Sequence, residues 1–193
     1  LNITQIDDQT KTELMKHIRQ LDAQFIILDL GAGTSHYTLD FFNAADVAIL
    51  GVLPEPTSIE NAYRFLKAVY YNRILRNPQF QSIQNYVEAA MTPSNAMGIQ
   101  SPSDMLGEVN FQHPQLAIEL KKFITSYKPK LILNQTRTQT DIDIGFSMKS
   151  VAKKYFGIEV DYLGYLEYEP NVWQSVRRMK PILAEFPQSR IAS

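Results

Sequence analysis

Four short apolar runs, separated by stretches of helical periodicity, constrain the fold of this chain more than any other feature. They are residues 25–30 (FIILDL), 47–53 (VAILGVL), 130–135 (KLILNQ) and 158–166 (IEVDYLGYL). The first three are almost continuously apolar, which is typical of strands buried on both faces of a parallel sheet. Because parallel strands need crossover connections, the alternation predicts an α/β fold, with a mostly parallel sheet flanked by helices.

Two of the connections carry signals for the ends of helices. Thr57 follows the second run, and Glu60 stands three residues later, which is the spacing of a capping box at a helix N-terminus. Residues 141–157 (DIDIGFSMKSVAKKYFG) end on Gly157, a typical residue just beyond a helix C-terminus. We therefore expect one helix after each of these two signals.

The connection between the second and third runs is unusually long. It spans about 75 residues, where a single crossover helix needs far fewer. Apolar residues recur at helical spacing within it, so we predict a helical insertion at approximately residues 77–112. The whole chain, residues 1–193, is expected to form a single domain.

Composition excludes several classes of function. The chain has 193 residues, 45% of them hydrophobic, and a net charge of -1, so nothing global favours nucleic acid binding. It has no cysteine, which excludes disulfides and thiolate metal sites, and its three histidines lie in unrelated segments. Since there is no span-length apolar stretch and no leader, we expect a cytoplasmic protein.

Polar or glycine-containing loops follow each predicted strand, where ligands bind in open α/β sheets. After the first run, Asp29 is positioned to hold a water molecule of a magnesium ion, and Gly31 and Gly33 let backbone N–H groups approach a phosphate. The same three residues also suit an ordinary turn, with Asp as a cap and glycine at positive φ. Both interpretations stand at this point.

The loops taken together resemble a known family. Residues 25–68 (FIILDLGAGTSHYTLDFFNAADVAILGVLPEPTSIENAYRFLKA) resemble the second half of the deviant-Walker-A ATPases of the MinD/ParA/Mrp family, nearest to flagellar-number regulators of the FlhG/FleN type. The resemblance resumes at residues 131–136 (LILNQT) and 156–189. It implies a P-loop NTPase-like three-layer fold that binds ATP and Mg²⁺.

The resemblance also implies roles for individual residues. Asp29 matches an aspartate that acts on Mg²⁺ through water, and Gly31 and Gly33 match a catalytic switch that senses the γ-phosphate. Asn134, followed by Gln135, matches an asparagine whose amide reads adenine, a task suited to a paired donor and acceptor. The remaining cofactor-binding residues implied by the family are Glu167, Tyr168, Glu169 and Pro170 beside adenine and ribose, and Pro54 and Glu55 near the dimer face.

One part of the family pattern is missing from the sequence. The phosphate-binding stretch KGGxGKT is absent, so there is no cradle of N–H groups for the β-phosphate, and we do not expect this chain alone to hydrolyse ATP efficiently. The first hypothesis is that the chain is the C-terminal portion of an ATPase switch that forms a nucleotide-dependent homodimer and engages a protein partner. Membrane or DNA association has no support in this segment. The alternative is a non-catalytic interaction module that kept the fold.

Overall fold

The computed structural model describes residues 7–92 and 94–191, and these form an α/β structure built on a three-stranded parallel sheet. The strands are β1 (Ile49–Val52), β2 (Lys130–Thr136) and β3 (Asp161–Glu167), in the spatial order β1-β2-β3. The predicted α/β class with a parallel sheet flanked by helices is confirmed. Of the predicted 1–193 domain, residues 1–6, 93, 192 and 193 lie outside the described residues.

Helices occupy most of the remaining described chain. They are α1 (Asp8–Arg19), α2 (His36–Ala44), α3 (Pro56–Leu75), α4 (Gln84–Met91), α5 (Pro102–Gln112), α6 (Pro114–Thr125), α7 (Gln139–Val151), α8 (Pro170–Arg177) and α9 (Ile182–Glu185). A 3-10 segment (Pro78–Ile83) precedes α4, and one π-helical turn (Ala152–Phe156) extends α7. The region around 77–112 is helical; its status as an insertion stays a prediction.

The two helix ends predicted from sequence signals have different outcomes. Gly157 adopts the left-handed conformation, at φ 65°, beyond the helical turn after α7, as predicted. The capping box predicted at Thr57 and Glu60 is wrong: the N-cap is Glu55, two residues before Thr57, and α3 begins at Pro56. Proline at the first helical position needs no N–H partner, so it defines this helix start without a side-chain cap.

One large core lies between the sheet and the helices on one of its faces. Its fully buried residues include Leu66, Ile74, Phe80, Val87, Met105, Leu120, Leu131 and Leu133. They come from α3, the 3-10 segment, α4, α5, α6 and the central strand. The long connection between β1 and β2 therefore shares its core with the sheet.

The predicted strand at residues 25–30 is wrong. The segment forms no strand within the described structure, and the side chains of Phe25 and Ile27 are 86% and 90% exposed. A strand needs a neighbour that completes its hydrogen-bond ladder, and among the described residues no strand lies beside the free edge of β1. Leu28 and Leu30 are half-buried, and Leu30 packs against a second buried cluster that includes Leu39 and Phe42.

The prediction that β1 is buried on both faces is also wrong. Val52 is buried, but Ile49 is half exposed. In β2 the alternation is the same, with Leu131 and Leu133 buried and Ile132 only partly covered. The described helices therefore bury one face of the sheet far better than the other, whereas parallel sheets are normally covered on both faces.

Candidate functional site

The carboxyl ends of the three parallel strands bring three loops to one edge of the sheet. Val52 pairs with Leu133, and Leu133 pairs with Tyr165, so the residues that follow β1, β2 and β3 emerge side by side. This edge collects most of the predicted nucleotide-binding residues: Pro54, Glu55, Asn134, Gln135, Glu167, Tyr168, Glu169 and Pro170. It is the position where open α/β sheets bind ligands.

Asn134 presents its side chain near the end of the central strand. It is exposed, and its Oδ1 accepts a hydrogen bond from the backbone N–H of Gln135 at 2.9 Å. Gln135 has a positive φ of 60°, rare for a non-glycine residue, at a register irregularity in the β2–β3 ladder. The Asn134 Nδ2 group makes no hydrogen bond within the described residues, so it is open to a ligand.

Two hydrogen bonds join the end of β2 to the end of β3 and the loop that follows it. The N–H of Tyr168 donates to the carbonyl of Thr136 at 2.9 Å, and the Thr136 hydroxyl donates to the carbonyl of Leu166 at 3.3 Å. Thr136 is buried, which makes this link a rigid base for the two loops. Tyr168 therefore has a fixed backbone position close to the end of β2.

Arg137 and Tyr168 form a stacked pair at this edge. The guanidinium carbon of Arg137 lies 4.1 Å from the Tyr168 ring centroid. The backbone N–H of Arg137 donates to Asp141 Oδ2 at 2.7 Å, and this bond, with that from Thr138, holds the Asp141 pKa below its ordinary value. Sequence reasoning missed Arg137; its place directly after a predicted strand end was the available signal.

The two glutamates of the third loop have structural partners. Glu169 Oε1 accepts from the backbone N–H of Asn171 at 3.1 Å and caps α8. Glu167 Oε2 lies 3.0 Å from Nη1 of Arg190. Pro170 is the first residue of α8. The loop is therefore shaped by one helix cap and one ion pair, and its single aromatic residue, Tyr168, is exposed.

Glu55 and Pro54 connect β1 to the longest helix. The backbone N–H of Glu55 donates to the carbonyl of Leu53 at 2.8 Å, and Ser58 Oγ accepts from the N–H of Leu53 at 3.0 Å. These bonds turn the chain sharply from β1 into α3. The Glu55 carboxylate is exposed and makes no side-chain cap to the helix.

Asp29, Gly31 and Gly33 belong to no strand and lie in the exposed loop that leads into α2. Gly33 has a φ of 119°, a conformation that favours glycine, and Ser35 Oγ caps α2 by accepting from the N–H of Thr38 at 3.2 Å. A Cβ added at Gly31 would meet nothing within 4 Å. No hydrogen bond or ion pair links Asp29 to the strand-end loops within the described residues.

The described residues fit the two ends of a nucleotide unequally. An exposed amide at Asn134 and the Arg137–Tyr168 pair, which share this edge of the sheet, suit a planar, hydrogen-bonding ring. At the phosphate end, Asp29 is a solitary carboxylate, and no group of three or more His, Cys, Asp or Glu in the described chain could hold a metal ion by itself. The residues at the carboxyl edge of the sheet therefore suit a nucleotide base, whereas Asp29 and the loop around it do not complete a phosphate site.

In comparisons with known proteins, no family model matches this chain, and no curated protein matches its sequence. Within residues 7–92 and 94–191, none of the helices has the length and apolar character needed to cross a membrane.

Proposed function

We propose that this chain is the C-terminal portion of a MinD/ParA-like switch that binds and hydrolyses ATP, in spatial positioning or in flagellar or cell-division regulation. The observation that carries the proposal is the convergence of Asn134, the Arg137–Tyr168 pair and the 167–170 loop at the carboxyl edge of a parallel sheet. The residues implied by the family resemblance to surround adenine lie in these loops. The complete protein would have the three-layer P-loop NTPase-like fold.

At the base end, each residue has a separate task. The Nδ2 group of Asn134 would donate to adenine, while its Oδ1 accepts from the backbone N–H of Gln135. Tyr168, kept in place by its bond to Thr136, offers a flat face beside the ring, and Arg137 stacks on that tyrosine. By the family resemblance, Glu167 and Glu169 belong to the loop that would line the adenine and the ribose.

At the phosphate end, the chain supplies only part of the site. Asp29 would hold Mg²⁺ through water, and Gly31 and Gly33 would let backbone N–H groups approach the γ-phosphate. Bound Mg²⁺ supplies neutralisation of negative charge on the phosphate oxygens. The phosphate-gripping lysines belong to polypeptide outside residues 7–191, so we derive no hydrolytic step from the described residues. In the complete protein, ATP favours a homodimer that engages a protein partner.

A second candidate function is a non-catalytic interaction module. The observation that favours it is the exposure of several large apolar side chains, among them Phe25, Ile27, Trp173 and Met179. Such a protein would use the same sheet without nucleotide turnover.

Nucleotide titration of the complete protein separates the two functions. We expect Asn134→Ala to weaken ATP binding at least tenfold, because the amide donor is lost, and Asp29→Ala to abolish the Mg²⁺ dependence of binding and turnover. Asn110→Ala, at an exposed position on α5, is the matched control. If Asn134→Ala and Asp29→Ala both leave affinity and turnover at the wild-type level, the proposed nucleotide site is wrong. The interaction module predicts instead that the complete wild-type protein does not turn ATP over.

A further inference from the structure

An open cleft of about 490 Å³ lies between α1, α2 and α3, and residues of the 3-10 segment and α6 complete its walls. This volume is typical of sites that bind small molecules. Its charged lining consists of Lys11, Asp40, Arg73 and Arg76. No residue of the strand-end loops or of the loop around Asp29 lines it, so the cleft shares no residue with the proposed nucleotide site.

Among the described residues that line the cleft, Asp40 is the sole carboxylate, and it already has partners. Its Oδ2 lies 2.6 Å from Nζ of Lys11 and 3.0 Å from Nη2 of Arg76. Its Oδ1 accepts a hydrogen bond from Nδ2 of Asn72 at 3.2 Å. Lys11 also pairs with Asp8 at 2.8 Å. The two carboxylates therefore balance two of the three cations, those of Lys11 and Arg76.

Arg73 is the cation that lacks a carboxylate: in the described part of the chain, no acidic side chain lies within ion-pair distance of it. Its guanidinium carbon lies 3.9 Å from the ring centroid of Tyr127 and 4.9 Å from that of Phe123. Burial lowers the pKa of Arg73, because the charged form loses hydration there. Stacking on ring faces positions the flat guanidinium and leaves its in-plane N–H groups available to an anion.

Further donors and an apolar surface line the same cleft. Arg76 follows Arg73 by three residues at the end of α3, and it uses only Nη2 in its bond to Asp40. Asn77 Oδ1 accepts from the backbone N–H of Gln79 at 3.0 Å, and its Nδ2 has no partner within the described residues. The apolar lining consists of Met15, Ala44, Pro78 and Phe123. The cleft therefore offers donors for one anionic group and apolar surface for the body that carries it.

We infer that this cleft binds a small organic acid, a molecule with one carboxylate group on an apolar body. The carboxylate oxygens accept from Arg73 in the bidentate geometry that a planar guanidinium favours, and Arg76 and Asn77 supply further donors. A single negative charge matches the one cation that the protein leaves unbalanced. A phosphate monoester carries roughly two negative charges at neutral pH, which is more than this cleft neutralises.

Calorimetric titration of the 193-residue chain with benzoate tests the inference. We expect saturable binding, with benzamide, which has a similar shape and no charge, and phenyl phosphate each at least tenfold weaker. Arg73→Gln should reduce benzoate affinity at least tenfold, and Arg73→Lys, which keeps the charge without the planar fork, should be intermediate. Arg64→Gln is the matched control and should bind as the wild type does, because Arg64 is exposed on the same helix and pairs with Glu60 at 2.6 Å.

Nuclear magnetic resonance locates the bound benzoate. The Nε–H signal of Arg73, assigned in ¹⁵N-labelled protein by its loss in Arg73→Lys, should shift during the titration. Circular dichroism of each variant establishes that it is folded.

Several outcomes would overturn the inference. Failure of benzoate to bind the folded chain, or equal affinity for benzamide, would show that the cleft is not an anion site. Phenyl phosphate binding as tightly as benzoate would reject the carboxylate class. Wild-type affinity in Arg73→Gln, or an equal loss in Arg64→Gln, would place binding elsewhere. None of these results bears on Asn134 or Asp29, so failure here is distinguishable from failure of the nucleotide proposal.

Discussion

The helix-covered face of the sheet, which we call the packed side, and the exposed 25–30 segment, which we call the open side, contain the same kinds of apolar residue. These residues are buried on the packed side and exposed on the open side. On the packed side, Phe80 and Ile74 are completely buried among helices that follow β1. On the open side, Phe25 and Ile27 are as apolar but remain exposed. Apolar character alone therefore does not decide whether a residue is buried, because burial also requires a surface for the side chain to pack against.

The difference assigns different tasks to the two sides. Burial on the packed side supplies folding free energy, roughly 25 cal/mol for each Å² of apolar surface removed from water. The open side supplies almost none of it, so its residues are free to serve binding. The same type of substitution should therefore reduce folding stability on the packed side and leave it nearly unchanged on the open side.

Phenylalanine truncation should give the largest contrast. Phe80→Ala leaves a cavity in a fully buried site next to the ring of Phe123, and we expect a loss of about 3–5 kcal/mol in the free energy of unfolding. Phe25→Ala removes an exposed ring and should change stability by less than about 0.5 kcal/mol. Urea denaturation of both variants measures the difference.

Phe111→Ala is the control for this pair, since Phe111 is exposed although it lies on a helix of the packed side. It should behave like Phe25→Ala. An equal loss of stability for all three phenylalanines would show that the packed and open sides do not differ as described.

Glycine substitution should give a smaller contrast. A Cβ at Gly145, inside α7, would overlap the ring of Tyr162, whose hydroxyl donates to the Ile142 carbonyl at 3.2 Å. We expect Gly145→Ala to destabilise by about 1–3 kcal/mol, because the ring must move. Gly31→Ala meets open space and should leave the melting temperature unchanged while weakening nucleotide binding to the complete protein. Thermal unfolding of Gly145→Ala at the wild-type temperature would contradict this account.

The sequence predicted the packed side better than the open side. The alternation of strands and helices, the β2 run and the cap at Gly157 were readable because each depends on neighbours close in the chain. The strand at 25–30 was mispredicted because its formation depends on a partner strand, which periodicity does not reveal. Prediction of the Arg137–Tyr168 pair would have required the β2–β3 register, which is known only from the folded sheet.

Alkaline pH should weaken the packed side through its tyrosines. Burial raises the pKa of Tyr127 to about 12, although Arg73 opposes the shift, and burial raises the pKa of Tyr71 as well. In the unfolded chain tyrosine ionises near its ordinary value of 10.0, so the unfolded state loses protons first. Stability should therefore be intact below pH 10 and fall between pH 10 and 12. Denaturation at pH 8 and 11 measures the loss, which should shrink in Tyr127→Phe; an equal loss in that variant would contradict the assignment.

The smallest effect should come from a hydroxyl that the packed side leaves unpaired. Tyr70 is buried beside Tyr71, and its hydroxyl oxygen has no hydrogen-bond partner within the described residues. Burial of an unpaired polar group costs free energy, so Tyr70→Phe should be neutral or stabilising by up to about 1 kcal/mol. Tyr162→Phe, which loses a hydrogen bond to Ile142, should instead destabilise by about 1 kcal/mol. Urea denaturation of both variants tests the difference in sign, and a loss of stability in Tyr70→Phe would mean that its hydroxyl has a partner in solution, such as a buried water.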